Sequence, residues 1–149
     1  MFYNKKYRHG AGIIFYKKEG DNIYIALGLR KVRPNAGYWS FAGGQLDKTD
    51  NSYLDCALRE AREEFFNSNF EPIDTIKNSV STPLKKIRFN LYFVRWDAYF
   101  INITNIDIKF EPQTSEIMEI KWFSINDLPL KTHRLIPIEI FIARILCFF

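Results

Sequence analysis

Arg59, Glu60, Glu63 and Glu64 stand together in the run Arg59-Glu60-Ala61-Arg62-Glu63-Glu64. Residues three and four apart on a helix share a face, with Cβ atoms roughly 5–6 Å apart. On a helix, Glu60, Glu63 and Glu64 therefore make one patch of three carboxylates aimed in one direction. Anions held that close repel one another, so a fold that keeps them needs a counter-charge. A hard divalent cation is one, because Mg²⁺ takes oxygen ligands and commonly shares them with substrate phosphates. A solvated helix face laced with salt bridges, here Arg59 to Glu63 at i,i+4, is the plainer use of the same residues. On the helix alone the two readings balance.

The chain before the helix shifts that balance. Trp39-Ser40-Phe41-Ala42-Gly43-Gly44 reads as an extended apolar segment stopped by two glycines. Paired glycines permit tight turning and close backbone approach to a ligand or metal. Asp50-Asn51-Ser52 offers several N-caps, and Ser52 with Asp55 resembles a capping box. Tyr53, Leu54, Ala57, Leu58 and Ala61 then recur with helical spacing, which anchors the helix on a sheet and leaves its glutamates toward a cleft. A strand, a glycine loop and an acidic helix in that order form a constellation.

The remaining elements must supply the sheet. Ala11–Tyr16 reads as a strand, Lys17–Asn22 as a turn, and Ile23–Arg30 as the hairpin partner. Lys31–Gly37 is a polar loop whose Arg30, Lys31 and Arg33 are within reach of a substrate phosphate or simply solvated. Lys77–Lys86 is polar and turn-like. Ile87–Asp97 alternates as one long half-buried strand. Ile101–Phe110 reads as a further strand or an insertion, Glu111–Glu116 as a loop, Ile117–Phe123 as a strand, and Leu135–Phe149 as a C-terminal helix packed on the sheet.

At 149 residues the chain fits one domain, 1–149, with length enough to bury a core. Apolar residues at 47% and aromatics at 17% exclude disorder. The net charge of +4 suits phosphorylated substrates but is not the dense basic patch of a dedicated nucleic-acid binder. Cys56 and Cys147 lie far apart with no metal spacing, Cys56 reading as a small buried residue, and two reduced cysteines suit a cytoplasmic protein. The first nine residues hold no apolar signal core, and Leu135–Phe149 is shorter than the roughly 20 residues a bilayer span needs. The reading is a soluble protein with no membrane partner.

Gly44, the run Arg59-Glu60-Ala61-Arg62-Glu63-Glu64 and the approach Trp39-Ser40-Phe41-Ala42-Gly43-Gly44 resemble the Nudix hydrolase family. Its signature is G-x5-E-x7-R-E-U-x-E-E-x-G-U, with U aliphatic, after a W-x-F-P-G-G approach. The chain departs from it at three points. One extra residue lies between Gly44 and Arg59, Asp50 or Asn51 stands for the first glutamate, and Phe66, followed by Asn67, stands for the last glycine. Asn67 suits a left-handed helix end one residue later. The resemblance implies an α+β fold, an α/β/α sandwich with a mixed central sheet between helices. It implies hydrolysis of a diphosphate linkage in a nucleoside diphosphate bonded to another group, with Mg²⁺ or Mn²⁺ as cofactor. By the same resemblance Glu60, Glu63, Glu64 and the Gly44 carbonyl hold metal, and Arg59 steadies the glutamates. Glu64 or Glu116 then accepts the proton of the attacking water, with Glu119 second to Glu116, and Ile125–Pro129 is a short helix.

The implied partners are a nucleotide-type small molecule, with the 5′ end of RNA among the candidates, and a second copy of the chain as a homodimer. Tyr16, Phe41 and Phe89 can stack a base, though core positions are the plainer reading of each. A ligand-sensing or protein-binding module of the same fold that has lost catalysis is the alternative. An unrelated α+β domain with a charged helix is a third reading.

Overall fold

The computed structural model describes residues 8–80 and 84–149. Most of the N-terminal lead and the middle of the Lys77–Lys86 stretch lie outside the described residues. Seven strands form one mixed sheet: β1 (Arg8–Glu19), β2 (Asn22–Arg30), β3 (Trp39–Ser40), β4 (Ala42–Gln45), β5 (Lys85–Leu91), β6 (Val94–Asn102) and β7 (Ile117–Ser124). Three helices flank it: α1 (Tyr53–Phe65), α2 (Glu71–Ser79) and α3 (Leu135–Ile145). The main path runs β3-β2-β1-β6-β5, with β4 on β1 and β7 on β2. Only β1 and β6 pair in parallel, and the other neighbours are antiparallel.

Side chains alternate across a strand, and β1 uses both faces. Ala11, Ile13 and Phe15 meet α1 and α2, whereas Ile14 and Tyr16 join Ile25, Leu27 and Phe100 beneath Ile136, Ile140 and Ala143 of α3. The expected sandwich of helices about a mixed sheet is thus observed. Among the described residues no helix is long and apolar enough to cross a membrane.

Several elements differ from the sequence expectation. The turn after β1 is only Gly20-Asp21, with Gly20 at φ +60, where a Cβ would strain the backbone. Gly43 and Gly44 do not stop a strand; they sit inside β4, paired with Gly12 and Ala11 of β1. The long strand over Ile87–Asp97 is a hairpin of β5 and β6 turning at Tyr92-Phe93, where no glycine or proline marks the turn. Helix α2 was not expected, because its nine residues show only Ile73 and Ile76 as a buried pair. Residues 125–129 form turns rather than a short helix. Past β6, residues 103–110 turn at 104–105, run on without regular structure and carry Ile103, Ile106, Ile108 and Phe110 onto the α1 side of the core.

That segment accounts for Phe66. Its ring stacks on Phe110 at 5.5 Å between centroids and meets Phe15 edge-on at 5.9 Å. The position of the family's glycine is here a core position, and Asn67 at φ 45 and Ser68 at φ 64 make the left-handed exit instead. At the other end Ser52 Oγ accepts from Asp55 N at 3.1 Å, the expected cap.

Two outcomes are expected from the core. Phe65 is fully buried against Phe15 and Phe110, so Phe65→Ala should cost about 3–5 kcal/mol in urea unfolding. Glu139 on α3 is fully buried with neither carboxylate oxygen hydrogen-bonded among the described residues, and burial pushes its pKa up to about 8. The folded state therefore holds a proton that the unfolded chain, with an ordinary value of 4.5, releases. Stability should fall as pH rises from about 4.5 through about 8, and Glu139→Gln should flatten that slope in unfolding measured across pH.

Candidate active site

Helix α1 lies over the β1–β4 pair and turns its acidic residues toward β4. The contact is close: a Cβ on Gly44 would stand 2.4 Å from Cδ of Glu60, so a larger residue there would push that carboxylate aside. One residue earlier, Gly43 N donates to Glu64 Oε2 at 3.0 Å.

The four residues of the acidic run are engaged differently. Arg59 Nε and Nη2 donate to the two oxygens of Asp50, each at 2.9 Å, a bidentate pair. Arg59 Nη1 donates to Glu60 at 2.8 Å and to Glu63 at 3.3 Å, and Nη2 reaches the Gln45 carbonyl at 3.1 Å. Asp50, not Asn51, is thus the carboxylate that meets the arginine from the loop before the helix. The Arg59 hydrogen bonds hold Asp50 below the usual carboxylate range, and Asp50 first, then Glu60, hold Arg59 above the usual arginine range.

Glu64 is only 4% exposed and also accepts from Arg30 Nη1 at 3.2 Å. Burial pushes its pKa up to about 7 against the pull of Gly43 N–H and Arg30, with the charges of Glu60 and Glu116 raising it further. Burial likewise raises Glu60, with Arg59 opposing and Glu63 and Glu116 assisting. A merely solvated face would not bury Glu64. Burial lifts the Cys56 thiol to about 12, as expected of an inert buried cysteine.

Glu116 is exposed on the loop before β7, and its charge bears on both Glu60 and Glu64. Its carbonyl accepts from Lys31 N at 2.7 Å, which ties that loop to the end of β2. Glu119 pairs with Lys121 at 3.0 Å instead. Of the loop cations, Arg30 joins the site, Lys31 Nζ reaches the Thr114 carbonyl at 3.5 Å, and Arg33 lies outward beside Ala36 and Tyr38.

A groove of about 430 Å³ runs along β4. Arg8, Arg30, Gly43, Gly44, Trp96 and His133 are among its lining residues, and Glu60, Glu63, Glu64 and Glu116 are not. Phe41 lines it too, its ring 6.1 Å from that of Trp96, whereas Tyr16 is core and bonds the Phe148 carbonyl. Phe89 packs in the core beneath α3. His133, lowered by burial and then by Arg134 and Arg30, and Trp96 were not singled out by the sequence, since neither has a spacing cue to the acidic helix.

The oxygen donors of Glu60, Glu63 and Glu64 are chemically suited to a hard cation, and the glycine cradle beside Glu60 suits close approach. In the described conformation they are turned to Arg59, Arg30 and Gly43 N, and among the described residues no three acidic, His or Cys side chains gather as a metal cluster. Arrangement and charge suit the binding of a phosphorylated ligand across β4.

A family model described as NUDIX domain matches residues 6–143. Subunit 2 of the mRNA decapping complex of Schizosaccharomyces pombe is 34% identical over 92 residues, covering 61% of this chain and 11% of that protein. A protein of Acanthamoeba polyphaga mimivirus named "Putative mRNA-decapping protein" is 28% identical over 120 residues, covering 74% of this chain and 32% of that protein. The chain thus spans about a third or less of the length of these curated relatives. A bifunctional NMN adenylyltransferase/ADP ribose pyrophosphatase from Francisella tularensis, solved with AMP and a Mn ion, superposes at TM-score 0.68. It is 15% identical and covers 95% of this chain and 42% of that chain.

Asp50→Ala strips Arg59 of its bidentate partner. It should cost about 1–3 kcal/mol in urea unfolding, with Lys48→Ala within about 0.5 kcal/mol as a surface control.

Proposed function

The chain belongs to the Nudix family, and on that premise we propose that it is a metal-dependent hydrolase of a diphosphate linkage joining a nucleoside diphosphate to another group. The observation that carries this reading is the approach of Glu60 and Glu64 to Gly43-Gly44, two glycines that also line a groove with Arg8, Arg30 and His133. Glu60, Glu63, Glu64 and the Gly44 carbonyl are the residues that would hold the divalent ion. Bound there, Mg²⁺ or Mn²⁺ neutralises phosphate charge and orients the attacking water.

The chain's own residues do the rest. Arg59, fixed by Asp50, keeps the Glu60 and Glu63 carboxylates from splaying apart. Arg30 and His133 bind phosphate in the groove, and Trp96, half-buried, gives its wall an aromatic surface on which a base can rest. Glu64 and Glu116 are the two groups that can take the water's proton. Glu64 is buried among these carboxylates, and the charge of Glu116 bears on Glu60 and Glu64 from the loop before β7. The two relatives named for mRNA decapping favour the 5′ end of RNA as the substrate, with ADP-ribose-type compounds next.

Turnover should be measured with Mg²⁺ or Mn²⁺ on capped RNA, 5′-triphosphorylated RNA, nucleoside triphosphates, ADP-ribose, GDP-mannose and diadenosine polyphosphates. Glu63→Gln should abolish activity. The proton acceptor, Glu64 or Glu116, should lose about 10²–10⁴-fold in kcat on conversion to Gln, together with the acidic limb of the pH–rate profile. Unchanged turnover in both Glu63→Gln and Glu64→Gln would sink the site, and silence of wild type across the panel would leave a ligand-sensing module.

A further inference from the structure

The β5–β6 hairpin exposes apolar surface that neither core uses. At its tip Leu91 is 58%, Tyr92 81% and Phe93 62% exposed, and the two aromatic rings stand edge to face with centroids 4.6 Å apart. A two-residue turn is normally made by glycine, asparagine or aspartate, whose backbones suit it. Tyr92-Phe93 supplies none of that chemistry and buries little, so folding gives no reason for aromatics there. The tip is nonetheless held in place. Arg8 N donates to the Phe93 carbonyl at 2.9 Å, and β1 pairs with β6 from Arg8↔Val94 onward.

Charge surrounds this tip unevenly. From residue 85 to residue 97 the hairpin carries Lys85, Lys86, Arg88 and Arg95 against Asp97, which is most of the chain's net charge of +4. Asp97 is shared: Arg88 holds it at 2.7 Å and Lys86 at 3.6 Å. Arg95 instead lies over the Tyr53 ring at 5.1 Å, and its Nε has no hydrogen-bond partner among the described residues. The surface is therefore cationic and aromatic at once. It also adjoins the groove, which Arg8, Val94 and Trp96 help to line, while Arg88 and Arg95 stand on the opposite face with Asp97 and Tyr53.

Exposed aromatic rings interleaved with arginines are how single-stranded nucleic acid is held without regard to sequence: bases stack on the rings and the cations follow the backbone. We propose that the hairpin tip, Tyr92 and Phe93 with Arg8, is a binding platform for the single-stranded RNA that continues from a 5′ end lying in the groove. This rests on the reading of the groove as a diphosphate site and deepens it. A substrate with its diphosphate at Gly43-Gly44 then has its next nucleotides leaving past Arg8 onto the tip, and a free nucleotide does not reach that far.

Binding should be measured by fluorescence anisotropy on the full chain in EDTA, so that no turnover is required and a failure of the hydrolase reading leaves the result readable. The probes are a 3′-labelled, 5′-triphosphorylated 12-nucleotide RNA without secondary structure and, as competitor, a nucleoside triphosphate. The wild type should hold the RNA at least about 10-fold more tightly than the nucleotide, with affinity falling as salt rises. Tyr92→Ala/Phe93→Ala should weaken the RNA about 10-fold or more. Tyr92→Trp, which keeps a π face, should retain affinity, and Leu130→Ala, an exposed apolar residue elsewhere, should not alter it. Equal RNA affinity in the double variant and wild type would overturn the proposal. So would wild-type RNA binding no tighter than nucleotide, or a double variant whose only change is lost self-association in sedimentation. Should the double variant fail to fold, Tyr92→Ser alone decides by the same comparison.

Discussion

One guanidinium makes the acidic face of α1 tenable. Arg59 meets Asp50, Glu60 and Glu63 together and reaches the last carbonyl of β4 as well. A planar fork with several fixed donors can do this, whereas an ammonium at the same place would offer a point charge without the bidentate fit. Because its partners come from the loop, the helix and the strand end, Arg59 couples three elements through charge rather than apolar packing. Glu64, the carboxylate out of its reach, is answered separately by Arg30 and by Gly43 N–H. The anions of the helix thus determine which backbone and side-chain donors must surround it.

Those donors are available because of how β1 shares an edge. Its C-terminal part pairs with β2 over Tyr16–Glu19, and its N-terminal part pairs with β4 over Gly10–Ile13. β2 and β4 therefore diverge from a common strand, and the far end of β2 delivers Arg30 to the same carboxylate that Gly43 approaches from β4. The groove lies along this divergence. Both faces of β1 are covered, by α1 and α2 on one side and α3 on the other, so the fork is set between two packed layers that limit its movement.

The acidic helix was legible in the sequence, cap and exit included, because its apolar stripe, Ser52 and Asn67 are local signals. The first hairpin and the last strand were legible for the same reason. What escaped was decided by tertiary contact. The turn at Tyr92-Phe93 carries no turn chemistry, and the alternating pattern runs on through it. The glycines of β4 read as a stop, yet Gly43 is kept small by the β1 backbone and Gly44 lies against Glu60 of α1, neighbours that the local sequence does not announce. Phe66 looked like a defect in a motif until the segment carrying Phe110 was seen to pack on it. The positions of Trp96 and His133 in the groove depend on pairings between distant segments, which no spacing rule reads.

The parallel pairing of β1 with β6 also dictates an order of events while the chain is made. β1 precedes its partner by the entire stretch between Arg8 and Val94. At about 5–20 residues per second, that leaves the β6 edge of β1 unpaired for on the order of several seconds. During that interval Ile13 and Phe15 have β2, β4, α1 and α2 to cover them, while Ile14 faces the side that α3 closes later. The early hairpin and the helices thus form a provisional shelter for the most buried of the described strands until the long-range pairing with β6 closes its other edge.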